Sequence, residues 1–369
     1  MDKVWDTETQ EVHGGQTWRQ CTNYTADFSV TTNALGAPDS AVVAAVRSLV
    51  SDIHHYPAAD THEATDALSN FIQWPADRLL IGNGASEFID LVMKVLPPGP
   101  FKPGPYKAAY MEYNRAAKAA DRTVLPAFSD EQAAVTVLIH PNSPTGDCMS
   151  LDGIRSMLNS CPGALVIDES FMPFLGPDWR QHSALSLIDE FPDRLLVLAS
   201  WTKLWACPGI RLGSISASRD WIKKIKKMQT PWSCNSPAQA FMTAASNDMK
   251  YMEKTWTVLP KWRSVTERRV KHLGWFVNEN SPSWVPWVFA SLPDAKTAEI
   301  ASDVAQAAGC PVRLCASFGV PECIRIGIRR PEHQDVLFRA WEKHFDVKPL
   351  TEVKGTTVYT NGSSKISHI

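Results

Sequence analysis

Short apolar runs and amphipathic stretches alternate along most of this sequence. The apolar runs, each of which ends in polar or small residues, predict strands at 78–82, 135–139, 164–167 and 195–199. Helical spacing of apolar residues predicts helices at 39–49, 61–71, 88–96 and 110–120. Because the predicted strands are apolar throughout, we expect a mostly parallel sheet between two layers of helices.

The rest of the chain predicts further units around this α/β fold. A long helix at 251–273 leads into a smaller α+β region, with strands at 284–292, 312–315 and 323–328 and helices at 298–308 and 333–344. We therefore predict an N-terminal arm at 1–35, a large domain at 36–250, a smaller C-terminal domain at 251–347 and a disordered tail at 348–369.

Composition and charge argue against several classes of protein. The chain has 369 residues, 44% of them hydrophobic, and its formal net charge of −2 gives no general reason to expect nucleic acid as a partner. No apolar run approaches the roughly 20 residues of a membrane span, so we expect no membrane partner. The eight cysteines lack C-x-x-C spacing and the N-terminus is acidic, so we expect a cytoplasmic protein with reduced thiols.

Three short motifs suggest partners, and each has a simpler interpretation. His54 and His55 are adjacent, so their side chains diverge, and we expect no metal site there. The four lysines within 223–227 are typical of a solvated helix face. The final Ser-His-Ile resembles a peroxisomal signal only loosely.

The stretch after the predicted strand 195–199 offers the clearest chemistry. It contains Ser200, Thr202, Lys203 and, after a Pro-Gly break, Arg211. A lysine at the end of a buried strand is partly desolvated, which lowers its pKa and favours imine formation with an aldehyde. Hydroxyls and an arginine suit a phosphate, and pyridoxal 5′-phosphate (PLP) carries both groups. A solvated turn is the alternative interpretation of the stretch alone.

Small or polar residues also follow the other predicted strands of the large domain. They include the turn Gly84-Ala85-Ser86 before a helix, the pair Asn142-Ser143, and Asp168. Ordinary turns and helix caps explain each of them separately. Because ligands of α/β proteins bind at the carboxyl ends of the strands, we expect these residues to form one site.

Taken in order, these stretches resemble the fold type I PLP-dependent enzymes of the class I and II aminotransferase superfamily. The resemblance covers about residues 13–341 and is greatest to the threonine-phosphate decarboxylase branch, a relative of histidinol-phosphate aminotransferase. Its motifs are V-H-G-G, D-F-S-V-T-T-N, G-N-G-A-S-E, Y-M-E-Y, P-N-S-P-T-G, I-D-E-S-F, S-W-T-K-L-W-A-C-P-G-I-R-L-G, P-W-S-C-N and I-R-I-G-I-R-R-P-E.

The resemblance implies how the cofactor is held. Lys203 would bind it covalently and move a proton, Asp168 would pair with the pyridine nitrogen, and Tyr110 would stack on the ring. The remaining residues implied to surround the cofactor, most of them at its phosphate, are Gly84, Ala85, Ser86, Ser143, Ser200, Thr202, Arg211 and, from a neighbouring subunit, Tyr56. A homodimer with shared active sites follows from that last role.

The resemblance also implies a small-molecule amino-acid substrate. Arg325 would bind its α-carboxylate in a bidentate manner. The residues implied to surround the rest of the substrate are His13, Asn33, Asn142 and Arg313.

Two positions depart from the usual family pattern. The family usually places asparagine at Ser143 and often tyrosine at Phe171, and both side chains donate to the 3-oxygen of the cofactor. Phenylalanine at the second position suits the decarboxylase branch, whereas Ser143 suits neither branch. Thr32 and Ala34 also differ from the usual arm, which predicts a changed side-chain pocket.

Four functions are therefore open. The leading hypothesis is a PLP-dependent α-decarboxylase of a polar or phosphorylated L-amino acid. The alternatives are an aminotransferase of the histidinol-phosphate type, a lyase or cyclase that modifies an amino-acid side chain, and a non-catalytic binding protein on the same scaffold.

Overall fold

The fold is seen in a computed structural model that describes residues 14–350. His13, part of the predicted arm and most of the predicted tail lie outside the described residues. Within the described part, two sheets are surrounded by helices, and none of those helices is long and apolar enough to cross a membrane.

The larger sheet has six strands and is mostly parallel, as predicted. They are β1 (Leu79–Asn83), β2 (Phe101–Lys102), β3 (Val135–Ile139), β4 (Ala164–Asp168), β5 (Leu195–Ser200) and β6 (Leu212–Ser216). The spatial order is β1-β6-β5-β4-β3-β2. Strands β2 to β5 run parallel, and β6 pairs antiparallel with both β5 and β1. The parallel strands therefore end at one edge of the sheet.

Eight helices accompany this sheet along the chain. They are α1 (Asp39–Asp52), α2 (His62–Ile72), α3 (Ala85–Val95), α4 (Glu112–Ala119), α5 (Leu151–Ser160), α6 (Trp201–Leu204), α7 (Arg219–Met228) and α8 (Ser236–Ser246). Two separate apolar clusters pack against the sheet, one of them containing Phe88, Val135 and Ile225 and the other Leu138, Ile154 and Leu195. The sheet is thus buried on both faces, which explains its continuous apolar strands.

The second sheet follows the long helix α9 (Met249–His272) and is antiparallel. Its strands β7 (Phe276–Val277), β8 (Trp287–Ser291), β9 (Arg313–Leu314) and β10 (Cys323–Gly327) lie in the order β7-β8-β10-β9. Helices α10 (Ala295–Ala307) and α11 (Pro331–His344) complete this region. The predicted domain boundaries remain predictions. One apolar cluster contains buried residues from Ala26 to Trp341 and so includes residues of the arm and of both predicted domains.

Strands β6 and β2 and helices α5 and α8 were not expected from the sequence. Strand β6 contains small residues, and Gly213 within it is required because a side chain there would collide with the backbone of Ala85. Helix α8 has a weak apolar pattern, whereas Ile154 and Leu158 of α5 are buried at helical spacing; Ser150 and Asn235 cap the first amides of α5 and α8. The expected loop 97–105 also contains the two-residue strand β2.

Candidate active site

A cavity of about 210 Å³ lies at the carboxyl ends of the parallel strands. The larger sheet, the N-terminal arm and the smaller sheet all contribute to its wall. Of the predicted site residues, those that line it are Ala85, Ser86, Tyr110, Ser143, Asp168, Ser200, Thr202, Lys203, Arg211, Arg313 and Arg325. The structure therefore brings together residues more than 200 positions apart in the chain.

Lys203 is the amine of this cavity. It lies on the one-turn helix α6, directly after β5, and its side chain is half-buried. Burial, followed by the positive charges of Arg325 and Arg211, lowers the pKa of Lys203 to about 8, against the opposite effect of Asp168. A lowered pKa increases the neutral, nucleophilic fraction of the amine near neutral pH.

Asp168 ends β4 and is almost fully buried, with 5% of its surface exposed. Tyr113 donates its hydroxyl to Oδ2 at 2.9 Å, and Ser170 donates its backbone amide and its hydroxyl to Oδ1 at 3.0 and 2.5 Å. Burial raises the pKa of Asp168, and these donors and Lys203 oppose that rise. Both oxygens thus have partners that favour the charged form.

The sequence analysis missed the roles of Tyr113 and Ser170. Ser170 follows Asp168 at the i+2 spacing typical of a local turn bond, which is a usable signal. Tyr113 lies in the quoted motif Y-M-E-Y but 55 residues from Asp168, and no local pattern predicts that contact.

One end of the cavity suits an anion. Helix α3 starts there after Gly84, and no side chain caps its first backbone amides, which can therefore bind an anion. Arg211 donates to Ser86 Oγ at 3.1 Å, and the hydroxyls of Ser200 and Thr202 lie 2.7 Å apart. Gly84 has a φ of +78°, and a side chain there would collide with the guanidinium of Arg211.

Aromatic rings form another part of the wall. Tyr110 lies edge-on to Tyr113, with ring centres 6.4 Å apart, and burial raises the pKa of its hydroxyl. Phe171 is buried and packs edge-on against Trp287, with ring centres 4.6 Å apart. Trp287 itself donates to the carbonyl oxygen of Pro144 at 2.7 Å, which links this wall to the loop after β3.

Two arginines from the smaller sheet reach the same cavity. Arg313 on β9 and Arg325 on β10 are register partners in neighbouring strands. Arg325 donates to Ser143 Oγ at 2.8 Å and to the carbonyl oxygen of Ser29 at 2.9 Å, and its Nε has no partner among the described residues. Burial lowers the pKa of Arg325 to about 10, so it remains a cation at neutral pH. Arg313 donates to Ser317 Oγ at 2.7 Å.

Four other predicted residues are not among those that line the cavity: Gly84, which directly precedes α3, and Asn142, Asn33 and Tyr56. Asn142 is fully buried, and its amide donates to Ala108 O and Thr145 Oγ1 at 2.8 and 2.7 Å. Asn33 donates to Leu204 O and Thr255 Oγ1 at 3.0 and 2.8 Å. Both amides therefore fix backbone around the site. Tyr56 is 79% exposed and stacks on Trp232.

The arm contributes cavity residues that the sequence analysis did not single out. Gly14, Ser29, Val30 and Thr31 line the cavity. Ser29 is held by Asp27, which accepts from its amide and its hydroxyl at 2.8 and 2.5 Å. The hydroxyl of Ser29 in turn accepts from the amide of Gly15 at 3.0 Å. The motif D-F-S thus forms a local turn that closes one side of the cavity.

These residues fit PLP. The uncapped start of α3, the neighbouring hydroxyls and Arg211 would hold its phosphate. Lys203 offers an amine of lowered pKa for the aldehyde, and Asp168 offers a buried carboxylate for the pyridine nitrogen. No group of three or more His, Cys, Asp or Glu side chains within residues 14–350 could hold a metal ion.

Comparisons with known proteins agree with this geometry. The family model described as "Aminotransferase class I and II" matches residues 26–339. A histidinol-phosphate aminotransferase of Symbiobacterium thermophilum is 27% identical over 81% of this chain and 85% of its own length. A putative threonine-phosphate decarboxylase of Caldanaerobacter subterraneus is 28% identical over 60% of this chain and 64% of its own length.

A solved structure shares the fold. The histidinol-phosphate aminotransferase of Sinorhizobium meliloti, solved in complex with pyridoxal-5′-phosphate, matches with a TM-score of 0.80 and 18% identity over 93% of this chain and 95% of its own. Because the family model covers most of the sequence, the chain belongs to the class I and II aminotransferase family of PLP-dependent enzymes.

Proposed function

We propose that this enzyme removes the α-carboxylate of an L-amino acid that carries a second anionic group, such as a phosphate. The observation that supports the proposal is the guanidinium pair of Arg313 and Arg325. The two arginines are register partners on adjacent strands, and both line the cavity that contains Lys203. One guanidinium would bind the carboxylate and the other the second anion.

The charges of the cavity support a ligand with several anionic groups. Its lining contains the four cationic side chains of Lys203, Arg211, Arg313 and Arg325. Among the described lining residues, Asp168 is the one acid. Arg211 lies at the end of the cavity proposed for the cofactor phosphate, whereas Arg313 and Arg325 belong to the smaller sheet, from which they would contact the substrate.

The protein would choose the reaction by orientation. When bound, PLP supplies an electron-accepting ring, which takes up the electrons of whichever substrate bond stands perpendicular to it. Asp168, held by Tyr113 and Ser170, would keep the pyridine nitrogen protonated. Arg325 would place the carboxylate, and Lys203 would deliver the proton that replaces it at the α-carbon.

The cavity wall near Phe171 favours loss of the carboxylate. Phe171 and Trp287 pack edge to face and offer no hydrogen bond to a ligand from their ring faces. The hydroxyl of Ser143 already accepts from Arg325. If Arg325 holds the substrate carboxylate on the side of this apolar wall, water is excluded from it there, and its conversion to neutral carbon dioxide would relieve that cost.

Transamination of a phosphorylated substrate is the second candidate. The observation that favours it is the 27% identity with a histidinol-phosphate aminotransferase across 81% of this chain. The same guanidinium pair would then bind the phosphate of the amine donor and the carboxylates of the keto-acid acceptor. The two candidates differ in products rather than in binding residues.

We further propose that the enzyme works as a homodimer. Helix α1 exposes an apolar face that includes Val43, Val46, Val50 and, just beyond the helix, Ile53, which are 48%, 53%, 80% and 74% exposed. A face of this kind is typical of an interface. Tyr56 follows it and stacks on Trp232 at the surface, where it could enter a neighbouring subunit and contact the cofactor phosphate.

The experiment is a product analysis with matched substrates. The holoenzyme is incubated with O-phospho-L-serine, O-phospho-L-threonine, L-arginine, or histidinol phosphate plus 2-oxoglutarate, and products are identified by mass spectrometry with trapping of carbon dioxide. We expect carbon dioxide and the corresponding amine phosphate from a phosphorylated amino acid, and no product with Lys203→Ala. Glutamate formed from 2-oxoglutarate without carbon dioxide would refute decarboxylation in favour of transamination. A product with its α-carboxylate intact and its side chain altered would refute both.

A further inference from the structure

The arm segment 27–32 connects the two halves of the site. The carbonyl oxygen of Ser29 accepts from Arg325 on the smaller sheet at 2.9 Å. A few residues later, the amide of Asn33 donates to the carbonyl oxygen of Lys203 at 2.8 Å. The position of this segment therefore affects both the proposed carboxylate-binding guanidinium and the helix turn that carries the amine.

Arg329 holds the arm segment 27–32 in place through hydrogen bonds. It follows β10, four residues after Arg325, and only 8% of its surface is exposed. Its guanidinium donates to the carbonyl oxygens of Asp27, Val30 and Thr32 at 2.7, 2.8 and 3.0 Å. The carbonyl oxygens of three residues in one segment thus accept hydrogen bonds from a single guanidinium.

The arrangement suits arginine in particular. A guanidinium offers five donors in a fixed plane, whereas a lysine ammonium offers three from a single point. Burial lowers the pKa of Arg329 to about 10, so the cation is retained at neutral pH despite its desolvation. Gly327 also contacts this arm segment. Its amide donates to Phe28 O at 2.8 Å, and a side chain at Gly327 would collide with Val30 O.

We propose that Arg329 is a positioning residue, which fixes arm residues 27–32 so that the Ser29 carbonyl orients Arg325 for the substrate carboxylate. The proposal rests on the proposed role of Arg325. It predicts that loss of Arg329 weakens binding of ligands that have an α-carboxylate and leaves ligands without one unaffected. A residue that merely stabilised the fold would weaken both kinds of ligand alike.

The test uses Arg329→Gln, Arg329→Lys and, as a matched control, Arg330→Gln. Arg330 is the exposed neighbour, and its contact with the arm is a 3.3 Å hydrogen bond to Leu35 O. Each holoenzyme is titrated with O-phospho-L-serine and with O-phosphoethanolamine, which differ only in the carboxylate. The visible absorbance of the cofactor, read by stopped flow before O-phospho-L-serine is consumed, reports binding.

We expect Arg329→Gln to weaken O-phospho-L-serine binding by about 10- to 100-fold, the effect typical of a misplaced binding group, with O-phosphoethanolamine unchanged. Arg329→Lys should recover part of the loss, and Arg330→Gln should match the wild type. Hydrogen exchange should become faster in peptides that cover residues 25–33 of Arg329→Gln and remain unchanged elsewhere.

Two results would overturn the proposal. Equal weakening of both ligands would indicate a general structural role, and unchanged exchange at 25–33 would show that Arg329 does not fix the arm. If neither phosphorylated ligand alters the wild-type spectrum, the proposed substrate class fails instead. L-alanine and ethylamine, which also differ only in the carboxylate, then provide the same test of Arg329.

Discussion

The lowered pKa of Lys203 predicts how fast the protein takes up its cofactor at different pH values. At pH 7, an amine with a pKa of about 8 is neutral in roughly one molecule of eleven, whereas an amine with the ordinary lysine pKa of 10.5 is neutral in about one of 3,000. The cavity therefore increases the reactive fraction about 300-fold. Burial is the largest cause, and Arg325 is the first of the charged groups.

Replacement of Arg325 by glutamine removes that charge and should raise the pKa of Lys203. The assay mixes apoprotein with PLP, or with pyridoxal, which lacks the phosphate, and follows the growth of visible absorbance. The second-order rate constant reports the pKa of the free protein. In the wild type we expect a rate that increases with pH and levels off above about pH 8. In Arg325→Gln the midpoint should move to higher pH with both aldehydes, while Arg330→Gln should not move it.

A wild-type midpoint near the ordinary lysine value would refute this prediction, because burial would then not lower the pKa of Lys203. An unchanged midpoint in Arg325→Gln would show that the charge of Arg325 does not lower that pKa. Lys203→Ala is the control for the chemistry, since it should give no absorbance change of this kind with pyridoxal.

Three further predictions follow from individual contacts. Gly84→Ala places a side chain against the Arg211 guanidinium at a φ of +78°, and equilibrium dialysis should show PLP affinity reduced by about tenfold or more. Tyr113→Phe removes a donor to buried Asp168, so chemical denaturation of the apoprotein at neutral pH should show a loss of about 1.5–3 kcal/mol in the free energy of unfolding. At acidic pH we expect a smaller loss, because a protonated Asp168 depends less on that donor. Val50→Asp places a charge on the exposed face of α1, and sedimentation velocity should show a monomer where the wild type is a dimer; a monomeric wild type would refute the proposed interface.

The sequence predicted four of the six strands of the larger sheet, because each of these four is a buried apolar run. Strand β3 has the predicted bounds, and β4 and β5 extend the predicted ones by a single residue. The positions of Asp168 and Lys203 followed from the rule that ligands lie at strand carboxyl ends. The strand bounds and the positions of Asp168 and Lys203 both depend on local apolar runs, which can be read from a single sequence.

The partners of polar side chains could not be predicted in the same way. The sequence motif containing Asn142 suggested a ligand-binding amide, yet its side chain holds the backbone of Ala108. Asn33 similarly holds Leu204 and Thr255, which are 171 and 222 residues away. An amide satisfies a carbonyl and a ligand equally well, so only the folded arrangement decides between them.

Arg325 shows why the reaction type is harder to infer than the fold. Its guanidinium is oriented by Ser29 from the arm and Ser143 from the loop after β3, while the residue itself belongs to the smaller sheet. The direction in which it would present a substrate carboxylate is therefore set by three separate segments at once. Small displacements of any of them would change which substrate bond stands perpendicular to the cofactor ring. Substitution of residues that hold the arm in place would for this reason alter which reaction occurs, while the cofactor-binding residues stay the same.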